Sequence, residues 1–157
     1  MQINLIFTGK SENNYVKNEI SEFQKRIGHY ITLEIKEIPN LKNCSGLKKD
    51  IIRIKEGELI LKGIVPKDFL VLLDEKGKEF SSVEFSKFIE GKLISGQKNL
   101  IFVIGGAFGF SEEVYKRADL KISLSKMTFP HQLVRVIFLE QLYRAFTIIK
   151  GEKYHHE

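Results

Sequence analysis

The chain has 157 residues, 43% of them hydrophobic, with a net charge of +5 at neutral pH. That suffices for one domain with a proper core, and no apolar run approaches the roughly 20 residues a membrane span needs. The charge suits a polyanionic partner without proving one, and the single cysteine, Cys44, has no internal disulfide partner and fits a reducing cytoplasm.

Taken in chain order, the sequence alternates strand and helix throughout. Ile3, Leu5 and Phe7 alternate with polar neighbours and stop at Gly9, which predicts a first strand. The segment lacks a basic leader region and a small-residue cleavage site, so it does not read as a signal peptide. Val16, Ile20, Phe23 and Ile27 recur at helical spacing, with Gly28 expected to close that helix. Ile31, Leu33 and Ile35 form a second strand ending at Pro39, and Leu47, Ile51, Ile54 and Leu61 mark a second helix terminated near Gly63. Phe69 to Leu73 is a continuous apolar run, as expected of a strand covered on both faces. Ser81 and Glu84 form a capping box for a helix carrying Phe85, Phe88 and Ile89. A buried strand over 100–104 leads into Gly105, Gly106 and Gly109. Ser111 caps a short helix through Arg117, and Leu120 to Leu124 is the last short strand. The final helix starts after Pro130 and runs to about Lys150. Such alternation implies an α/β sandwich on a largely parallel sheet, without internal repeat or linker.

The final helix is apolar nearly all round. Val134, Ile137, Phe138, Leu142, Ala145 and Ile149 line one side, while Leu133, Val136, Leu139, Phe146 and Ile148 sit elsewhere. A helix apolar on several sides must be buried on several sides. It is therefore either a central core helix or a homodimer interface, and the small size of the domain favours the interface. Arg135, Arg144, Lys150 and Lys153 gather in the same quarter of the chain, beside His131, His155 and His156.

Three familiar motifs do not fit. Gly9-Lys10-Ser11 lacks the upstream glycine of a phosphate-binding P-loop, since position 4 is Asn4. The glycines at 105, 106 and 109 miss the dinucleotide-binding spacing and its downstream acid. The four histidines show no metal-ligand spacing, so no metal is expected.

Two runs remain. LIFVI over 100–104 ends in Gly105-Gly106-Ala107-Phe108-Gly109, where bare backbone can approach a ligand closely. Ser123 to Arg135, SLSKMTFPHQLVR, places hydroxyls and a proline just before the apolar helix. Together they read as two loops meeting over one ligand. Further short words stand in order around them: Glu37 to Pro39 (EIP), Lys55 to Glu58 (KEGE), Leu73 to Lys78 (LDEKGK), and the ending EQLYRAFTIIKGEKYHHE. In this set and spacing the whole chain resembles the RlmH family, small methyltransferases of the SPOUT class. One departure is His156, where many relatives carry a basic residue.

The resemblance implies a single SPOUT domain over 1–157, an α/β knot whose C-terminal part, approximately 70–157, forms a deep trefoil knot. It implies methyl transfer from S-adenosylmethionine to N3 of a pseudouridine in 23S ribosomal RNA, by a cytoplasmic homodimer acting on assembled ribosomes. By match of position, Leu73, Gly105, Leu124, Ser125, Lys126, Met127, Thr128 and Phe129 would form the cofactor pocket. Arg135, Tyr154 and His155 would position the target base and its phosphates, with His131 either assisting or capping the helix start. Two other readings stay open: a related SPOUT enzyme with another RNA target, and a non-catalytic ribosome- or RNA-binding factor on the same fold.

Overall fold

The computed structural model describes residues 1–42 and 46–155; Cys44 and His156 lie outside them. Five strands, β1 (Gln2–Thr8), β2 (Thr32–Ile38), β3 (Phe69–Glu79), β4 (Asn99–Ile104) and β5 (Leu120–Ser123), form one sheet in the order β2-β1-β4-β3-β5. Every pairing is parallel, which sharpens the expected largely parallel sheet. Helices α1 (Asn14–Gly28), α3 (Ser82–Ile94) and α5 (His131–Ile149) cover one face, and α2 (Lys49–Leu61) and α4 (Glu112–Arg117) cover the other.

The alternation of strand side chains divides the core. Ile3, Leu5, Phe7, Val71, Leu100, Phe102 and Ile122 pack beneath α1, α3 and α5. Ile6, Leu70, Leu72, Ile101 and Val103 meet Ile60, Phe110 and Val114 on the other side. The uninterrupted apolar runs of β3 and β4 thus follow from coverage on both faces. Gly57 lets α2 and α4 approach, since a Cβ there would lie 2.4 Å from Ser111 Oγ.

Most predicted boundaries hold. Ser81 accepts the Glu84 N–H while the Glu84 carboxylate accepts the Ser81 N–H, completing the capping box. Asn13 and Ser111 cap α1 and α4, and Gly63 follows α2 in the left-handed region at φ +93°. Two expectations need correction. Gly28 is the last residue of α1 and not its left-handed stop; His29 caps that end in right-handed geometry. Strand β3 is longer than its apolar run: after an irregularity between Leu73 and Lys78 it rejoins β5 through Lys78 and Glu79. Gly77 makes this crossing possible, because a Cβ there would stand 2.6 Å from the backbone of Lys121 and Ile122.

Candidate active site

The carboxyl ends of β3, β4 and β5 converge on one cavity of about 590 Å³, formed by Leu73, Ile104 to Gly106, and Ser123 to Ser125. Parallel α/β sheets bind ligands at this edge, where the strands open into loops. Both signature runs reach it. Gly105, Gly106, Ala107, Phe108, Gly109 and Phe110 supply one wall, and Leu124, Ser125, Met127, Thr128, Phe129 and His131 supply another.

Local chemistry shapes both loops. Ser123 Oγ donates to the Ser125 carbonyl at 3.0 Å, and the Met127 N–H donates to Ser125 Oγ at 2.9 Å. The loop is thereby tightly turned, with Met127 at the lip. Gly105 lacks a Cβ where one would meet the Phe110 ring at 3.0 Å, so this glycine serves the packing of Phe110. Phe110 in turn meets Tyr115 edge to face. Tyr115 Oη donates to Asp74 Oδ2 at 2.5 Å, and burial first, then that bond, pushes the phenol up to about 12.

Seven of the eight positions matched to a cofactor pocket line this cavity. Lys126 is the exception: its side chain is exposed and its Nζ lies 3.7 Å from Glu79 Oε2. Three residues of the wall that the sequence reading had not singled out are Lys49, Arg53 and Tyr115. The available signal was the four-residue spacing of Lys49 and Arg53, which puts both on one stripe of α2.

Arg135 corrects a further expectation. Its side chain is completely buried and is absent from the cavity wall. Nη1 donates to Ser11 Oγ at 2.9 Å and Nη2 to the Thr8 carbonyl at 2.7 Å, with the guanidinium 4.1 Å above the Phe7 ring. Burial lowers its pKa, opposed by the nearby Glu37 carboxylate. Arg135 thus ties the start of α5 to the end of β1, out of reach of an RNA phosphate.

Tyr154 and His155 fold back along α5. Tyr154 Oη donates to Glu140 Oε1 at 3.2 Å, its ring lies under the Arg144 guanidinium at 4.8 Å, and Arg144 Nη1 meets His155 Nδ1 at 3.3 Å. Burial, then Glu140, raises the Tyr154 pKa. Tyr30 Oη anchors Glu152 at 2.7 Å. Glu140 stands roughly 14 Å along the helix from His131, at 1.5 Å per residue. The tail therefore borders another surface, and its own cavity does not contain it.

A five-stranded parallel sheet with a cavity at its carboxyl edge defines an α/β domain of the class that binds ligands where the strands open into loops. The comparisons then make it particular. A family model described as "Predicted SPOUT methyltransferase" matches residues 1–155, and the chain belongs to that family of SPOUT methyltransferases. It is 54% identical over 157 residues, all of both chains, to a Parabacteroides distasonis protein called Ribosomal RNA large subunit methyltransferase H. A Christiangramia forsetii protein with the same designation is 56% identical over 156 residues, 99% of each chain. A solved structure of a probable methylase family protein from Haemophilus influenzae superposes with a TM-score of 0.55 at 9% identity, covering 99% of this chain and 70% of that one; it bears on the fold alone. Among the described residues no group of three or more His, Cys, Asp or Glu is placed to hold a metal ion. Nor is any described helix long and apolar enough to cross a membrane.

Proposed function

We propose that this chain methylates N3 of a pseudouridine in 23S ribosomal RNA on assembled ribosomes, using S-adenosylmethionine, as a cytoplasmic homodimer. The observation that carries the reading is the single cavity into which both signature loops run, in a chain whose full-length relatives bear a large-subunit RNA methyltransferase name. The cavity suits the cofactor: its volume falls within the range for small-ligand sites, and backbone groups and apolar side chains line it together. Bound there, S-adenosylmethionine supplies an electrophilic methyl group.

The residues divide the remaining work. Leu73, Leu124 and Phe129 offer apolar walls to a heterocycle, and the backbone of 105–109 and 124–128 offers donors and acceptors for its edge. Alignment of methyl donor and acceptor supplies most of the rate, because orientation alone is worth large effective molarities. The target N3–H must lose its proton, and His131, which lines the cavity, is our candidate for accepting it.

The dimer is supported by α5. Leu133, Ile137 and Ile148 stay partly exposed, while Phe138, Leu142 and Ala145 are buried. A second copy covering the exposed side chains would bring the Tyr154-His155 tail of one subunit toward the cavity of the other. The C-terminal trefoil knot belongs to the same proposal.

The test is transfer of labelled methyl from S-adenosylmethionine to purified ribosomes, with matched ribosomes lacking the pseudouridine. Label in 23S RNA only when the pseudouridine is present is the expected result. Equal labelling of both, or cofactor binding with no transfer, would point to another RNA target, and a chain that binds no cofactor would point to a non-catalytic ribosome factor. Replacing Tyr154 and His155 together should reduce transfer at least tenfold while cofactor affinity holds.

A further inference from the structure

Helix α2 presents Lys49 and Arg53 to the cavity, and the next residue on that stripe, at the i+7 position, is Glu56. The Glu56 carboxylate lies directly behind the cofactor loop. A Cβ on Gly106 would sit 2.7 Å from Glu56 Oε2 and 3.1 Å from Oε1, with Thr8 Oγ1 at 3.0 Å. Gly106 itself lines the cavity, so the missing side chain leaves room for this carboxylate. Oε2 is shut off from solvent and has no hydrogen-bond partner among the described residues. Buried carboxylate oxygens are ordinarily satisfied, and one that is not requires a reason.

The other charged groups around the cavity do not supply one. Asp74 already accepts from Tyr115 Oη and from the Lys76 N–H. Glu75 and Lys76 lie on the exposed side of the wall, and Lys49 sits beside the Phe108 ring. Arg53 pairs with Asp50 on its own helix. His131 lies on the α5 side, and β1 faces Glu56 with the neutral Thr8. Among the described residues Glu56 takes part in no ion pair.

Resting on the cofactor reading of this cavity, we propose that Glu56 is a positioning residue which recognises the positive charge of the methyl donor through the Gly105-Gly106 turn. S-adenosylmethionine carries a sulfonium cation; after transfer, S-adenosylhomocysteine is a neutral thioether at the same atom. A fixed negative charge behind the turn favours the first over the second. Glu56 thus biases the site toward the loaded donor and helps discharge the spent one. Burial raises the Glu56 pKa, since desolvation works against the charged form.

Isothermal calorimetry of the full chain with S-adenosylmethionine and with S-adenosylhomocysteine tests this. Glu56→Gln should weaken S-adenosylmethionine by about tenfold, the scale of one charge interaction in a half-buried site, and leave S-adenosylhomocysteine within about twofold. Glu56→Asp, which keeps the charge, should keep the ratio of the two affinities near that of the wild type. Equal weakening of both ligands, or of neither, overturns the proposal: the first makes Glu56 a mere prop for the turn, the second a bystander. Should the glutamine variant not fold, Glu56→Met fills a similar volume without a charge and makes the same comparison. A wild-type chain that binds neither ligand overturns the cofactor reading itself, an outcome distinct from a loss confined to the variants.

Discussion

Glu56 also leaves a mark on stability, and the sign follows from its environment. Its folded pKa is raised, so the carboxyl ionises more readily in the unfolded chain. The folded state is therefore favoured below the ordinary carboxylate range, and that advantage is lost as pH rises through the raised folded value. Glu56→Gln removes the half-buried charge. It should melt higher than the wild type at neutral pH, with the gap closing as pH falls, in thermal scans without ligand. A variant more stable yet weaker for the methyl donor is the trade expected of a group kept strained for binding. Arg135 shows the opposite arrangement. It is a buried cation whose two Nη atoms donate hydrogen bonds and whose guanidinium lies over an aromatic face, although its Nε has no partner among the described residues. Neither role was visible in the sequence. Charge at a helical position says nothing about which side chain the tertiary fold will seal in, and Lys126 turns outward for the same reason, since loop side-chain direction has no period to read.

At the scale of elements the sequence was far more legible. Continuous apolarity in β3 and β4 and the Ser81–Glu84 box each encode a local physical requirement, and each is met; the alternation read in β1 is not, since Ile6 and Thr8 are buried alongside Ile3, Leu5 and Phe7. The failures are instructive. Gly28 ends α1 without adopting the left-handed conformation a glycine stop was expected to supply. The polar stretch after Leu73 hides the continuation of β3, because Lys78 and Glu79 pair only with β5, far away in sequence. Gly77 is the hinge of that pairing. Gly77→Ala would drive a methyl group into the backbone of Ile122, which cannot move as a side chain would. A cost of about 3 kcal/mol, lowering Tm by roughly 6–12 °C, is expected from overpacking. Calorimetric melting checks it; an unchanged Tm would show that β5 has room to shift.

For the whole molecule, α5 divides its surface between two obligations. Its inner side closes the core with Phe138, Leu139, Leu142 and Phe146, and its outer side keeps Leu133 and Ile137 partly exposed. The all-round apolar pattern did imply a helix covered twice, but a single sequence names no second partner. If that partner is another copy, Leu133→Asp with Ile137→Asp should shift the chain to a monomer in sedimentation. Those monomers should still bind S-adenosylmethionine and should fail to methylate ribosomes. A variant that remained dimeric would move the interface elsewhere.

The strand order has a kinetic consequence. The pairs β1–β2 and β3–β4 each join consecutive strands through one intervening helix, so each half can assemble locally. The seam between the halves is β1–β4, where Gln2 lies opposite Asn99. During synthesis the first half must wait with an open strand edge until most of the chain has been made. Only afterwards does the four-residue β5 reach its place beside β3 and bring the loop at 124–130 to the cavity. Pairings so distant in sequence slow folding toward the millisecond-to-second range. The edge proposed to bind the cofactor is therefore the last part of the protein to exist, and S-adenosylmethionine affinity recovered during refolding should lag behind the return of secondary structure.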